Sequence, residues 1–542
     1  MIKLCLTMIA GGALTPVGAI AQSQVSGTQE LISELQRGKE DRPSADVTLD
    51  ATVPTAAEAP AIEEFQIGSI LISGPDGTVM PEFGQTIEPF IGSVVGQPGL
   101  QDIATALASE ARNRGYSFAS AYVPEQKIML GSVRVIVDLG RIDEVEIVGS
   151  DNPRLARMLH KLEGHFARKS DIERKLLLAR DIPGIVINST EYLRENGRGR
   201  LLVRAAAQRS SAFAGVDNYG DKAAGPVRAR LDVDYSGIVD DDDRLSIGVV
   251  ATPVEPGELT FVSARYAKLI GDNGSQLWLT AAAGRTHENQ SGGDWRSRSR
   301  YVALAYNTPI LRSNSANLWL TVEAAFLEVD QSAMSGANLE DHVTTLSVSA
   351  SGNINLFGGR LSGGVTYSRG LDLFGSTGAG DPNSSRFDGS GRFSKEQAWL
   401  NWYGLLGKGF SMRVAGNGQI ASRALLASQE IGLGGVGFGR AYSFNERSGD
   451  EGVMGLLELR HVTDNPAKYI DWLQFYGFVD GGYVTNRDGG FGSGSLASGG
   501  AGIRSGIGSA ELGLELAVPI DDVRVETGDR SPRVNVSLGY RF

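Results

Sequence analysis

The chain has 542 residues, enough for several domains, and carries a formal net charge of −12 together with 71 glycines. The acidic balance argues against a nucleic-acid partner, because nucleic-acid binders present a basic face to the phosphates. The five histidines are scattered without metal-ligand spacing, and the sequence has neither a nucleophile elbow nor a phosphate-binding glycine loop. We therefore expect neither an enzyme nor a protein with a cofactor or a bound metal.

The first 21 residues are typical of a secretory signal peptide. Lys3 precedes a largely apolar stretch that ends in Ala-Ile-Ala, a small-residue cleavage site. Cleavage before Gln22 would remove the only cysteine, Cys5, so the exported protein could not rely on disulfides. No later apolar run is long enough for a membrane helix, but this test misses barrel strands, which alternate apolar with polar residues.

Residues 22–64 combine a short helix with a linker. Ser26 and Gln29 can form a capping box, and an apolar stripe continues to Arg37. Residues 41–64 are rich in Ala, Pro, Thr and acidic residues, a composition typical of extended linkers. A helix on such a tether could dock at a distant site, and a frayed N-terminus explains these residues about as well.

Two small α+β units are predicted next, at residues 65–140 and 141–208. The first has a strand near Phe65, a helical stripe from Leu100 that stops at Gly115, and strands at 119–123 and 133–138. The second has a strand at 142–148, a helix at 153–162, a helix capped by Ser170, and strands at 181–187 and 201–206. The order of elements repeats although the sequences barely match, which indicates a repeat in architecture.

Residues 209–542 show strands and no convincing helical period. The last segment, Arg533–Phe542, alternates apolar Val, Leu, Tyr and Phe with polar residues, so one face of the strand is apolar. Taken alone, this strand fits an edge of a soluble sheet equally well. With about 10 residues per strand and a similar length per connection, the whole segment predicts an all-β transmembrane barrel of roughly sixteen antiparallel strands.

Two further features concern the ends of these strands. Trp278 and Trp319 stand where an aromatic girdle would meet the membrane interfaces. The four aspartates Asp240–Asp243 could suggest calcium, but they lack the ligand spacing of a known calcium loop. A solvated turn is the favoured interpretation.

Several short motifs occur in an order typical of one family. They are Arg114-Gly-Tyr116, Val123-Pro-Glu-Gln126, Gly131, Gly140-Arg-Ile142, Asp181-Ile-Pro-Gly184 and Gly215-Val-Asp-Asn-Tyr-Gly220. With them the chain resembles the two-partner-secretion transporters (TpsB type, haemolysin/haemagglutinin secretion-activation proteins) of the Omp85 superfamily. The resemblance covers nearly the whole exported chain. It implies two periplasmic POTRA domains, a barrel in the outer membrane of a Gram-negative bacterium, and an N-terminal helix that plugs the lumen at rest.

Two motifs of the barrel segment match signatures of this family. Phe438-Gly-Arg-Ala-Tyr442 resembles the Val-Arg-Gly-Phe/Tyr signature at the tip of a loop folded into the lumen, and Phe478-Val-Asp-Gly-Gly482 resembles the Phe-x-Asp-x-Gly signature of a late strand. The resemblance singles out Gly439, Arg440, Ala441 and Tyr442 at the tip, and Phe478, Asp480 and Gly482 on the strand. Gly439 stands where Val is usual, and Ala441 stands where Gly is usual. The second difference bears on the backbone of the tip, because Ala tolerates positive φ poorly.

The residues themselves support a pair between Arg440 and Asp480, which the resemblance also implies. Asp480 lies in an otherwise apolar strand, where a carboxylate has to face the lumen and meet a cation. The planar fork of an arginine suits bidentate pairing with a carboxylate. Without the family's signature, a solvated loop cation would be the better interpretation of Arg440.

The resemblance implies that the chain exports a large unfolded TpsA-type protein, haemolysin-like or adhesin-like, to the cell surface. A segment of that protein would add as a strand to an exposed POTRA edge, where main-chain hydrogen bonds give sequence-tolerant affinity. Further partners would be outer-membrane lipid and, during biogenesis, a barrel-assembly machinery that reads the terminal aromatic Phe542. The alternative is an Omp85-type insertase, although insertases commonly carry more POTRA domains and lack the plug helix. A passive porin does not account for two periplasmic units.

Overall fold

The computed structural model describes residues 26–37, 50–51, 59–195, 198–290, 293–334 and 336–542. The signal peptide predicted at 1–21 and most of the linker predicted at 41–64 lie outside these residues. The first described elements are the helix α1 (Ser26–Arg37), which spans the predicted residues, and the short strand β1 (Asp50–Ala51). In the described part of the chain, no helix is both long and apolar enough to cross a membrane.

The first α+β unit packs a long helix on a three-stranded sheet. Its elements are β2 (Phe65–Gln66), β3 (Ser69–Ser73), α2 (Gly84–Ile87), β4 (Val94–Val95), α3 (Gln97–Asn113), β5 (Ser120–Tyr122) and β6 (Ser132–Asp138), with 3-10 turns at Pro81–Phe83 and Glu88–Phe90. The sheet order is β3-β6-β5, with β3 parallel and β5 antiparallel to β6. Leu100, Ile103 and Leu107 of the predicted stripe are fully buried, and α3 ends before Gly115, which has a left-handed φ of 94°.

The single strand predicted near Phe65 is in fact two strands. The chain bends at Gly68, because the backbone N–H groups of Gly68 and Ser69 both donate to the carbonyl of Gly131. A Cβ at residue 68 would lie 2.7 Å from the carbonyl oxygen of Leu130, so glycine permits this bend.

The second α+β unit has a four-stranded sheet to which the N-terminal region contributes. Its elements are β7 (Glu144–Val148), α4 (Pro153–Leu159), a 3-10 turn at His160–Leu162, α5 (Lys169–Arg180), β8 (Ile185–Glu195) and β9 (Arg198–Ala207). The sheet order is β1-β8-β9-β7. β1 lies parallel to β8, with Asp50 opposite Glu191 and Ala51 opposite Tyr192. An extended segment from residues 22–64 therefore occupies the outer edge of β8.

Two sequence predictions for the second unit are wrong. Ser170 does not cap α5, because the helix already begins at Lys169 and has no side-chain cap. The side chain of Asn152 caps α4 instead, with Oδ1 accepting from the N–H groups of Arg154 (3.0 Å) and Leu155 (2.9 Å). The strand predicted from residue 181 begins at residue 185, after a turn in which Gly184 has a φ of 76°.

The two α+β units pack directly against each other. The ring of Tyr192 stacks on the ring of Phe118 with centroids 3.9 Å apart, and its hydroxyl donates to the carbonyl of Arg141 at 2.9 Å. Burial raises the pKa of Tyr192 to about 12, so the hydroxyl stays protonated and keeps donating at neutral pH. This stacked pair ties β8 to the first unit.

The described residues from 210 to 541 form a closed barrel of 16 antiparallel strands, which confirms the predicted fold class. In chain order the strands are β10 (Ser210–Asp217), β11 (Arg228–Ser236), β12 (Asp243–Ala251), β13 (Leu259–Ile270), β14 (Ser275–Gln290), β15 (Gly293–Arg312), β16 (Ala316–Ala333), β17 (Asn338–Leu356), β18 (Gly359–Leu371), β19 (Ser394–Gly407), β20 (Phe410–Ala421), the loop strands β21 (Ile431–Leu433) and β22 (Arg447–Gly449), then β23 (Glu451–Ala467), β24 (Ile470–Thr485), β25 (Gly494–Ile507), β26 (Ala510–Pro519) and β27 (Arg533–Arg541). The seam joins β10 to β27, from Phe213 opposite Arg541 to Asp217 opposite Ser537.

The outward face of the barrel is apolar and the inward face is polar. On β27, Val534, Val536 and Leu538 are 46–50% exposed, whereas Asn535 between them is only 4% exposed. The same alternation corrects the girdle prediction: Leu277 and Leu279 are 40% and 51% exposed and face outward, so Trp278 faces the lumen. Trp319 lies between Leu318 and Leu320, which face outward, so Trp319 also faces the lumen.

The second unit is bound to one end of the barrel by ion pairs with its short turns. Arg312 makes a bidentate pair with Asp181 at 2.8 and 2.9 Å, and Lys161 pairs with Asp272 at 2.7 Å. The aspartate tract serves the same junction, because Asp242 pairs with Arg154 of α4. We call this end of the barrel the near end. The longest loops, residues 372–393 and 422–450, lie at the far end.

We predict that deletion of Phe542 impairs insertion of the barrel more than its folded stability. The Phe542 side chain is 72% exposed, and its backbone N–H donates to the Ala212 carbonyl at 2.9 Å. Losing that one bond costs about 1 kcal/mol, a small part of the seam. The measurement is the amount and rate of appearance of heat-modifiable protein in the outer membrane, with Phe542→Tyr as the aromatic control. A truncated protein that inserts as fast and as fully as the control would contradict recognition of the terminal aromatic.

Candidate functional site in the barrel lumen

The loop of residues 422–450, which we call the lumenal loop, folds back into the barrel. Its hairpin β21–β22 leads to a tip in which the N–H of Tyr442 donates to the carbonyl of Gly439 at 2.9 Å. Gly439 has a φ of 81°, whereas Ala441 is fully buried and has a negative φ. Alanine is therefore compatible with this tip, and the left-handed position is Gly439, where a valine would be strained.

Arg440 lies at the tip and is only 5% exposed, with its guanidinium facing three carboxylates. Nη2 lies 2.8 Å from Oε2 of Glu458, Nη1 lies 2.9 Å from Oε2 of Glu515, and Nε lies 3.3 Å from Oδ2 of Asp480. The carboxylates stand on β23, β26 and β24. The structure thus brings Arg440 and Asp480 together, but the guanidinium is shared among three strands and does not form the expected bidentate pair. Sequence reasoning missed Glu458 and Glu515.

Asp480 also binds the backbone of the tip. Its Oδ1 accepts from the N–H groups of Gly439 at 2.9 Å and Arg440 at 3.4 Å, and from the hydroxyl of Ser498. The carboxylate is 3% exposed. Asp480 therefore binds the backbone of the tip as well as the charged side chain of Arg440.

Two more arginines, both on the barrel wall, balance the carboxylates. Oε1 of Glu458 lies 2.6 Å from Nε of Arg460 and 3.3 Å from Nη1 of Arg504. Arg504 lies 3.9 Å above the ring of Tyr476, whose hydroxyl donates to Glu515 at 2.9 Å. Together with Arg440, these two arginines set three positive charges against the three carboxylates, which lowers the cost of burying them.

The other residues of the late-strand motif shape the space around Arg440. The guanidinium carbon lies 4.2 Å from the centre of the Phe478 ring, a cation–π contact. A Cβ at Gly482 would lie 2.5 Å from the carbonyl oxygen of Val453, so this position allows the neighbouring strand to approach closely.

Tyr442 anchors the tip to the barrel seam. Its side chain is fully buried, and its hydroxyl donates to the carbonyl of Ala497 or of Asp522, at 3.2 and 3.0 Å. Its own carbonyl accepts from Arg533 at 2.9 Å, and Arg533 also donates to the carbonyls of Tyr219 and Gly220. The tip is thereby joined, through Arg533, to the start of β27 and to the loop that follows β10. Phe542 lies at the near end of β27, away from this cluster.

The helix α1 lies in the same lumen and is bound by ion pairs. Glu30 accepts from Arg228 at 2.7 Å, and Glu34 accepts from Arg230 at 2.8 Å. Burial raises the pKa of the Glu30 carboxyl above its ordinary value, and the Arg228 guanidinium opposes this shift by stabilising the ionised form. A third arginine, Arg265, donates to the carbonyl of Leu35 at 2.6 Å.

The opposite face of α1 is apolar and reaches the lumenal loop. Leu31 and Ile32 are buried against wall residues and against Leu425 and Leu426 of the loop. Gln29 donates through Nε2 to the carbonyl of Ala427 at 3.1 Å. The helix and the loop therefore contact each other inside the lumen. Within the described residues no group of three or more His, Cys, Asp or Glu side chains is arranged to hold a metal.

Comparison with known proteins finds relatives along the whole chain. The family described as haemolysin secretion/activation protein ShlB/FhaC/HecB matches residues 201–505. The heme/hemopexin transporter protein HuxB of Haemophilus influenzae is 24% identical over 538 residues, which is 93% of each chain. Among solved structures, CdiB from Escherichia coli has a TM-score of 0.72 at 18% identity and covers 97% of this chain and 98% of its own. BamA from Haemophilus ducreyi lacking POTRA domains 1–3 has a TM-score of 0.53 at 13% identity and covers 88% of this chain and 100% of its own. These two structural likenesses concern the fold alone.

We predict that deletion of residues 22–64 raises the ion conductance of the barrel in planar bilayers and leaves the barrel folded. The reason is that α1 lies in the lumen and is bound there by polar contacts that the wall strands do not need. The double variant Glu30→Ala/Glu34→Ala, which keeps the linker, should raise conductance to a smaller extent. Glu146→Ala, which removes an ion pair with Arg200 in the second unit, is the matched control. Unchanged conductance in the deletion variant would mean that this segment is not a plug.

Proposed function

This chain belongs to the haemolysin secretion/activation protein family, and on that premise we propose that it exports a large unfolded partner protein from the periplasm to the cell surface. The barrel lies in the outer membrane of a Gram-negative bacterium. Its near end faces the periplasm and its far end faces the medium. The family assignment favours export over the alternative of a barrel-assembly insertase.

We assign the domains from the order of the elements along the chain. Residues 1–21 are a cleaved signal peptide, and residues 22–64 are the plug helix and its linker. The units at 65–140 and 141–208 are POTRA domains, and residues 209–542 are the barrel. Support comes from the ion pairs that hold the second unit at the near end of the barrel, where a cargo chain would enter.

One observation carries the proposal: two elements that are bound without covalent links, α1 and the lumenal loop, lie in the lumen of the barrel. The plug helix is bound by Glu30 and Glu34, and the tip of the lumenal loop is bound by Arg440. Once water enters the lumen, the separated charges regain hydration, so their release costs far less than in a dry core. A barrel closed in this way can open for a chain in transit and close again.

Capture of the cargo is proposed at the outer edge of β8. The pairing of β1 along this edge supports that assignment, because it demonstrates that the edge accepts an extended parallel segment. Ladder hydrogen bonds use only the backbone, so an unfolded cargo of varied sequence can replace β1. Replacement of β1 would pull on the linker and favour departure of the plug.

Arg440 and Asp480 are proposed to hold the tip in its resting position, together with Gly439, Ala441, Tyr442, Phe478 and Gly482. The terminal aromatic Phe542 is proposed as the signal for the barrel-assembly machinery, and the apolar outward face as the surface in contact with outer-membrane lipid. The exported protein is of the TpsA type.

We predict that Arg440→Ala leaves an assembled barrel that exports poorly. The substitution leaves three buried carboxylates with two arginines, and loss of one partner of a buried pair costs about 3–5 kcal/mol. That cost destabilises the seated position of the tip, since the substitution removes no hydrogen bond between the barrel strands. The measurement is surface appearance of a co-expressed large exported protein encoded by a neighbouring reading frame, normalised to heat-modifiable barrel. Arg447→Ala is the matched control, because Arg447 lies on the same loop and makes a half-exposed pair with Asp522.

Export at the wild-type level by a normally abundant Arg440→Ala protein would remove Arg440 from the mechanism. A charge exchange, Arg440→Asp with Asp480→Arg, distinguishes a simple ion pair from a cluster of three carboxylates. A simple pair would recover part of its function. In a three-carboxylate cluster the carboxylate introduced at position 440 would face Glu458 and Glu515, so we expect this double variant to export no better than Arg440→Ala.

A further inference from the structure

A second buried arginine lies at the far end of the barrel, outside the Arg440 cluster. Arg386 belongs to the outer loop of residues 372–393 and is 6% exposed. Its Nη1 lies within 3.0 Å of carboxylate oxygens of Glu430 and Asp450, which stand on the two stems of the lumenal loop. Asp450 is fully buried and Glu430 is 8% exposed. One guanidinium thus contacts both stems of the loop that carries Arg440.

Arg386 also contacts a third loop, residues 486–493. Its Nη1 lies 3.0 Å from Oδ1 of Asn486, and its Nη2 donates to the carbonyl of Arg487 at 2.5 Å. Asp388 on its own loop accepts from Nε at 2.9 Å and from Nη2 at 3.1 Å. Every nitrogen of the guanidinium has an acceptor, and the acceptors come from three separate loops. This geometry holds the loops together at one point.

The lumenal loop makes further contacts around this point. Oδ1 of Asp450 accepts from the N–H of Leu425 at 2.7 Å, and Oδ2 accepts from the N–H of Arg487 at 2.8 Å. Next to Arg386, the hydroxyl of Ser385 accepts from the N–H of Ala427 at 3.1 Å. The carbonyl of the same Ala427 accepts from Gln29 of the plug helix. The outer loops and the plug therefore meet at one short turn, the 3-10 turn Ala427–Gln429.

We propose that Arg386 is a positioning residue that closes the outer mouth of the barrel by fixing the stems of the lumenal loop against the two neighbouring loops, and that this contact opens when cargo leaves. The proposal rests on the proposed export function. Its physical basis is that Arg440 and Arg386 bind the same loop at opposite ends. A chain that passes outward has to displace the tip first and then part the loops above it.

Two glycines allow Arg386 to be displaced without removing a charge. A Cβ at Gly490 would lie 2.5 Å from the guanidinium carbon of Arg386, whereas a Cβ at Gly489 meets nothing within 4 Å. Gly490→Ala should therefore weaken the contact, and Gly489→Ala is its matched control. With Arg386→Ala as the direct variant, we expect both Gly490→Ala and Arg386→Ala to raise the open probability in planar bilayers roughly tenfold over Gly489→Ala. A merely structural role would lower the amount of folded barrel and leave the open probability of the folded fraction unchanged, which would overturn the proposal.

A reversible disulfide tests whether the loops part during export. Ser385→Cys with Ala427→Cys places two thiols across the contact between the two loops, in a chain whose only cysteine is at position 5. When the disulfide has formed, export of the co-expressed cargo should fall at least roughly tenfold, and reductant should restore it, whereas each single-cysteine variant should export under both conditions. Full export through the disulfide-linked barrel would overturn the outer-mouth proposal while leaving the export function intact. Absence of export by the wild-type chain itself would instead remove the proposed function.

Discussion

Three carboxylates that face the inside of the barrel set the conformation of its longest loop. Glu458, Asp480 and Glu515 stand on strands of the same wall and are almost fully buried. Unpaired burial of such charges costs several kcal/mol each, and Arg460 and Arg504 of the wall pair with Glu458. The third cation, Arg440, arrives on the lumenal loop. Charge pairing therefore positions this loop together with the burial of its apolar residues Leu433 and Tyr442.

Ion pairs with the barrel wall also position the helix α1. Its carboxylates pair with arginines of β11, and its apolar stripe contacts the loop as well as the wall. The Arg228–Glu30 pair is buried, whereas the Arg230–Glu34 pair is partly exposed and is screened by water. The helix and the lumenal loop also contact each other through the turn at Ala427.

The sequence predicts the architecture of the chain and one ion pair of the site, Arg440 with Asp480. Period-two alternation predicts the strands of the barrel, and the stripe of α3 predicts its buried face. The reasoning that singled out Asp480, a carboxylate among apolar strand residues, applies equally to Glu458 and Glu515, whose neighbours Leu457, Leu459, Leu514 and Leu516 face outward. Strict use of this alternation would also have placed Trp278 in the lumen. The contacts of Arg386 could not have been found in this way, because they join loops more than 40 residues apart that have no periodic pattern.

Arg533 has a consequence for the order of folding. The seam between β10 and β27 joins residues more than 300 positions apart, so its loop-closure entropy is large and its pairing forms late. Arg533 sits at that junction and donates both to the first hairpin and to the carbonyl of Tyr442 in the tip. Sealing of the cylinder and seating of the tip thus stabilise each other. A nascent barrel that seals with its tip outside would lack this contact, which favours assembly with the loop already seated in the lumen.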